Sequence, residues 1–382
     1  MQDIYRLAIL GLLLWGNCSL MAQDPILSQY YTNKIYLNPA LTGYEGGTTF
    51  NTNYRNQWYA IAGNLAQFTT NSAAVDVELP CIQSAFGLIY VDNMEGEGRL
   101  RWQSIGLSYA WRSRPQRQQL ANDWELSFGL KGTYDWRSLD WSQLVFSDQL
   151  DAIQGILGPS GVPMPANGLS LAQSFDLDFG TAFVYQFGDD RLRTGLTLNH
   201  IVRIDPSPLL LEDTLPVRAT LDLSFVKNIE WGGASYHLVP MLKFDLQRSS
   251  ARWRDSTSFF NGLLNNPFDG FWYRSFQYGA AFSFQKAPGL WGGVWMHSRY
   301  GQDNRFNTNS LIVALGMEFA NDPVFKHADN TYRFGLSYDY NMSGLRSEGG
   351  GTYEASLVIN FGKATLMNCD PVRRRRYTCP KF

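Results

Sequence analysis

Apolar and polar residues alternate along this chain with a period of two, in one stretch after another. Across 124–137, Trp124, Leu126, Phe128, Leu130, Tyr134 and Trp136 fall on one face, and Glu125, Ser127, Gly129, Lys131, Thr133, Asp135 and Arg137 on the other. Phe175, Leu177, Phe179, Phe183, Tyr185 and Phe187 repeat the pattern against Asp176, Asp178 and Gly180. Residues 332–340 and 353–361 do the same, with Arg333, Gly335, Ser337 and Asp339, then Glu354, Ser356 and Asn360, on the polar face. Side chains point to alternate sides of a β-strand, so each stretch reads as a strand with one apolar and one polar face.

The same reading along the chain predicts strands near 48–58, 67–80, 85–93, 100–112, 122–139, 175–187, 192–203, 216–229, 235–247, 273–286, 290–300, 309–319, 330–341 and 352–362. That is about fourteen, an even number as a single-chain bacterial barrel requires. The connections alternate as well. Long ones, 140–174, 204–215 and 248–272, fall at odd positions in the series. Tight ones, 81–84, 188–191, 230–234 and 287–289, fall at even positions, with 113–121 and 320–329 as longer exceptions. Outer-membrane barrels have long loops outside and short turns in the periplasm, in this order. A secreted β-sandwich also alternates, because one face of each sheet is buried. Its strands are typically about five or six residues, however, whereas several here reach the nine to eleven that cross a bilayer at a tilt. The fold class predicted is all-β, an antiparallel transmembrane barrel with a short N-terminal plug.

Composition strengthens the membrane reading. Charged residues are only 17% of the 382, while aromatics reach 15%, with 20 Tyr and 24 Phe. Such rings suit membrane interfaces, where one end is dry and the other wet. The net charge of −2 gives no sign of a nucleic-acid partner, although the tail 368–382 is basic, with Arg373, Arg374, Arg375, Arg376 and Lys381 against Asp370. Residues 1–22 look like an export signal: Arg6, an apolar run over 7–15, and Leu20-Met21-Ala22 as the cleavage site. That run is too short to span a bilayer as a helix. The expected organisation is therefore signal 1–22, periplasmic or plug segment 23–47, barrel 48–363 and basic periplasmic tail 364–382.

Export into an oxidising compartment makes Cys369 and Cys379 a disulfide candidate around the Arg run, with two unpaired thiols as the alternative. Cys81 reads as structural. The four His residues (His200, His237, His297, His327) show no metal-ligand spacing to Cys or carboxylates, so no metal is expected. No nucleophile elbow, P-loop or dinucleotide fingerprint occurs, so no enzyme, cofactor or small-molecule substrate is expected. Charges on the strands fall opposite the apolar set, where a lumen can pair or hydrate them. Both signs occur and no single-sign ring stands out, so a passive porin-like channel stays as an alternative.

The segment 23–47 has no strand period. Asp24-Pro25 and Asn38-Pro39 each offer a capping side chain followed by a Pro suited to a first helical position. Gln23-Asp24-Pro25, Ser28-Gln29-Tyr30-Tyr31, Tyr36-Leu37-Asn38-Pro39-Ala40 and Gly43, then Asn53-Tyr54-Arg55-Asn56-Gln57-Trp58, resemble the opening motifs of the PorP/SprF family. Ser337-Tyr338-Asp339-Tyr340-Asn341, Glu354-Ala355-Ser356-Leu357 and the terminal Cys379-Pro380-Lys381-Phe382 resemble its closing motifs, where Arg more often precedes the Phe. The resemblance implies an outer-membrane, non-enzymatic component of the type IX secretion system of Bacteroidota. It would assist export or surface attachment of cargo, in some members large adhesins used in gliding.

On this basis Asp24, Pro25, Tyr30, Tyr36, Asn38, Pro39, Arg55 and Trp58, with Arg373–Arg376 and Phe382, are candidates for docking periplasmic machinery or cargo. The alternative is that 23–47 plugs and braces the barrel, with Arg55 and Trp58 as lumen and interface anchors. Residues 140–174 and 248–272 should face outward.

Overall fold

The computed structural model describes residues 24–60, 68–96, 99–113, 122–151, 155–156, 158–162, 169–204, 217–248, 272–284, 289–300, 306–320, 330–342 and 350–362. The expected signal, the loop 248–272 almost entirely and the tail 364–382 lie outside these residues. Sixteen strands follow in chain order: β1 Thr48–Gln57, β2 Phe68–Leu79, β3 Ser84–Glu95, β4 Leu100–Ser113, β5 Asn122–Asp140, β6 Leu150–Asp151, β7 Gly155–Ile156 and β8 Leu169–Phe187. Then come β9 Asp190–Ile204, β10 Arg218–Trp231, β11 Ala234–Arg248, β12 Trp272–Phe284, β13 Gly289–Tyr300, β14 Phe306–Ala320, β15 Asn330–Asn341 and β16 Thr352–Phe361.

All except β6 and β7 form one closed antiparallel barrel of fourteen strands, each bonded to its neighbour in sequence. β1 closes the circle against β16, with Tyr54 opposite Ala355 and Arg55 opposite Glu354. Every strand anticipated from periodicity is present. The largest difference in an end is in β8, which begins at Leu169 where alternation predicted about 175. The small hairpin of β6 and β7 lies in the expected long loop and was not foreseen.

The barrel inverts the burial of a soluble protein. Along β4, Ile105, Leu107, Tyr109 and Trp111 are exposed, and Ser104, Ser108 and Arg112 are buried. Leu107, Leu315 and Leu336 are 71%, 66% and 69% exposed on the outer wall. A continuous apolar exterior of this kind would aggregate in water and is stable in lipid. Aromatic contacts mark both ends of the wall: Phe86 with Tyr109 and Tyr185 with Phe187 at one, Tyr134 with Phe175 and Tyr338 with Tyr353 at the other. Among the described residues no helix is long and apolar enough to cross a membrane. The strands make the crossing.

The long connections 141–168, 205–217 and 249–271 all fall at one end, called the long-loop end below. The short-turn end carries 80–83, 188–189 and 232–233, and it also receives the chain before β1 and releases it after β16.

Candidate functional site

The chemistry of the molecule is concentrated inside the barrel, where residues 24–47 thread the lumen. Two short helical pieces shape this segment. In α1, Lys34–Leu37, Asn33 is the cap: its Oδ1 accepts from Tyr36 N–H (3.1 Å), and its Nδ2 donates to Ser72 Oγ on β2 (3.1 Å). A 3-10 turn follows over Pro39–Leu41, and Asn38 caps it by accepting from Ala40 N–H at 2.9 Å. The Asn38-Pro39 start predicted from sequence is therefore present. The Asp24-Pro25 start is not: residues 24–27 form no helix. The carboxylate of Asp24 goes to the wall instead, where Arg218 Nη1 (2.7 Å) and His200 Nε2 (2.9 Å) approach it. An ion pair with a guanidinium is a stronger use of an aspartate than an exposed N-cap.

The wall is cut to receive the 3-10 turn. Gly129 on β5 lies against Pro39 and Ala40, and Gly180 on β8 lies against Asn38 and Pro39, so closely that a Cβ on either glycine would overlap those atoms. Asn38 Nδ2 donates to Thr181 O at 3.0 Å beside this socket. Around it an apolar core has formed inside the barrel. Leu37, Ala40 and Leu41 pack with Ala182, Val226, Val239 and Met241, and Tyr31 stacks on Trp295 with ring centroids 5.2 Å apart.

The N-terminal half is held by charge. Ser28 N–H and Gln29 N–H both donate to the Glu354 carboxylate, at 2.6 and 3.0 Å. Ser28 Oγ donates to Asp339 (2.6 Å), and Gln277 Nε2 donates to Ser28 O (2.7 Å). Arg55 completes the group, reaching Asp339 at 3.1 Å, Glu354 at 3.5 Å and Ser28 Oγ. A charge in this interior is tolerable because each is met by opposite charge and hydrogen bonds. The segment ends at the short-turn end, where Arg112 donates to Gly43 O (2.9 Å) and Thr42 O (2.5 Å) and Asn360 Nδ2 donates to Gly46 O (2.6 Å).

Tyr30 is 3% exposed, and Tyr36 is half-buried with its hydroxyl donating to Pro25 O at 2.6 Å. Asp24, Asn38, Pro39 and Arg55 are buried. These side chains are turned to the wall and to one another inside the barrel. Trp58 is set apart from them, just beyond β1, bonded through its N–H to Gly351 O and set edge-on to Phe68. Arg373–Arg376 and Phe382 lie outside the described residues, as do Cys369 and Cys379. Cys81 is in a disulfide.

Sequence reasoning missed one cluster. Asp176, Asp178 and His200 bring ligand atoms within 4.8 Å of one another. The register shift between Leu177 and Phe179 turns His200 inward, with its φ at +60°; a bulge of this kind re-aims a side chain. The residues are already engaged: His200 Nδ1 meets Asp176, His200 Nε2 meets Asp24, and Lys131 Nζ lies 2.8 Å from Asp178. A metal would have to displace Lys131 from Asp178 and break the contacts of His200 with Asp176 and Asp24. The donor set fits an ion-pair network that grips the plug.

Fold and site together define a transmembrane β-barrel of the outer-membrane type whose lumen holds its own N-terminal segment. The model of the family "Type IX secretion system membrane protein PorP/SprF" matches residues 19–359, and the chain belongs to that family. It is not an enzyme. No curated protein matches. Among solved structures it is similar to the toluene transporter TbuX of Ralstonia pickettii, at 12% identity over 86% of this chain and 92% of that one, with a TM-score of 0.45. The toluene transporter TodX of Pseudomonas putida (9% identity, 89% and 98% covered, TM-score 0.41) and a FadL homologue of Pseudomonas aeruginosa (11%, 90% and 94%, 0.41) are similar to the same degree.

Proposed function

We propose that this protein sits in the outer membrane with its barrel termini in the periplasm and assists type IX export or surface attachment of protein cargo as a closed scaffold. The observation that carries this reading is the occupied lumen. A passive channel needs a continuous path of water, and here Tyr31, Leu37, Ala40 and Leu41 meet Trp291, Trp295 and the wall across the interior. Cargo, including adhesins of gliding cells, would be handled at the rims of the barrel. The basic tail with Arg373–Arg376 and Phe382 is the candidate for contact with periplasmic machinery.

Crosslinked co-purification from outer membranes should recover secretion components or exported proteins, and removal of 378–382 should weaken that recovery while the barrel stays inserted. Deletion of the whole gene should remove a subset of exported proteins from the surface or medium. In planar bilayers the intact protein should be silent. A stable open pore together with a normal secretome would return the channel reading.

A further inference from the structure

The plug does not stay at the end of the barrel where it is attached. Its C-terminal end, Thr42 and Gly43, is bonded to Arg112 near the short-turn end of β4, and Gly46 to Asn360 at the short-turn end of β16. Its N-terminal end is bonded elsewhere. Arg218, the partner of Asp24, is the first residue of β10 after the long connection 205–217, level with Gln247 near the end of β11. Arg55, Asp339 and Glu354, which hold Ser28 and Gln29, lie near the ends of β1, β15 and β16 that lead into the long-loop side. Pro25 and Ile26 are only half-buried there.

From these placements we infer that residues 24–27 form part of the long-loop mouth and that Pro25 and Ile26 are accessible from that side, although both ends of the barrel's strand series lie on the other. The segment thus runs through the wall's full interior as a single covalent strand of chain linking the two mouths. His200, turned inward by the bulge, and Arg218 form the clamp that fixes its outer end. This assignment does not depend on a role in secretion.

Side-specific labelling tests it. Ile26→Cys, Ser160→Cys in the loop after β5, and Asp189→Cys in the β8–β9 turn are each exposed on cells to a membrane-impermeant maleimide, with the unsubstituted protein as baseline. Ile26→Cys should label with Ser160→Cys, and at least ten times faster than Asp189→Cys. Labelling that tracks Asp189→Cys overturns the inference, and so does protection of Ile26→Cys under both intact and permeabilised conditions. If Ile26→Cys fails to give a heat-modifiable barrel, an epitope inserted between Gln23 and Asp24 gives the same two outcomes by antibody staining, compared with epitopes at Ser160 and Asp189.

Discussion

The two halves of the plug are held by different physics. Residues 34–47 sit by shape: a capped 3-10 turn in a glycine socket, with Leu37, Ala40 and Leu41 in an apolar core. Residues 24–33 sit by charge and directed hydrogen bonds, through Asp24, Ser28, Gln29 and Thr32 to Arg218, Glu354, Asp339, Asn51 and Asn53. Apolar packing is tolerant of small errors in direction and gives stability in proportion to the area it covers. Buried ionic groups return little net stability, but they penalise every misplaced alternative, because an unpaired charge inside is so unfavourable. The apolar half, 34–47, therefore holds the segment in place, and the polar half, 24–33, sets its path toward the long-loop end.

That contrast is easiest to break at Glu354. Glu354→Ala leaves two plug N–H groups without their acceptor and takes from Arg55 one of its two carboxylates, and should destabilise the barrel by about 3–5 kcal/mol, the range for removing one partner of a buried pair; urea unfolding followed by heat-modifiable migration in gels reads it. An intact midpoint would mean that the plug's polar half is dispensable. At the apolar half, Gly180→Val adds atoms where Asn38 and Pro39 already lie, for a loss of about 1–3 kcal/mol from overpacking. The same Gly180→Val chain should leak in planar bilayers if the socket is what keeps the turn seated. Asn38→Ala removes a cap and the bond to Thr181, and should lower stability by about 1 kcal/mol.

The smallest effect lies outside the membrane. In the long loop, Gly161 N–H (2.6 Å) and Ser160 Oγ (2.8 Å) donate to Asp148, and they hold its carboxyl below the usual carboxylate range. A lowered folded pKa gives a contribution present above the unfolded value, near 4, and lost as pH falls through the folded one. The loop around 147–162 should therefore become more susceptible to an acid-active protease only below about pH 4, and the Asp148→Asn loop should be cut faster than the unsubstituted one by a neutral protease at about pH 7.

Much of the fold was legible because barrel strands are local facts. Whether Leu107 or Ser108 faces lipid depends on a period of two that any short window displays, and turn lengths lie directly in the sequence. Fourteen strands and most of their ends could be read this way. The β6–β7 hairpin and the start of β8 escaped because the stretch 144–172 has no sustained alternation. The Asn38 cap was legible for the same local reason, being satisfied by Ala40 two residues on. Asp24 was misread as a cap because its partners, Arg218 and His200, are remote in sequence, and because His200 faces inward only through a bulge that no local signal announces.

The sequence by itself determined the class of structure: strands of membrane-crossing length, a polar interior, and the motifs at 23–58 and 337–382 that mark the family. Only the tertiary structure decided where the N-terminal segment lies, since its path is fixed by contacts such as Ser28 with Glu354, more than three hundred residues apart. A barrel wall is built from neighbours in sequence, so periodicity specifies it. The filling of its lumen joins residues from every strand at once, and that arrangement exists only after the sheet has closed.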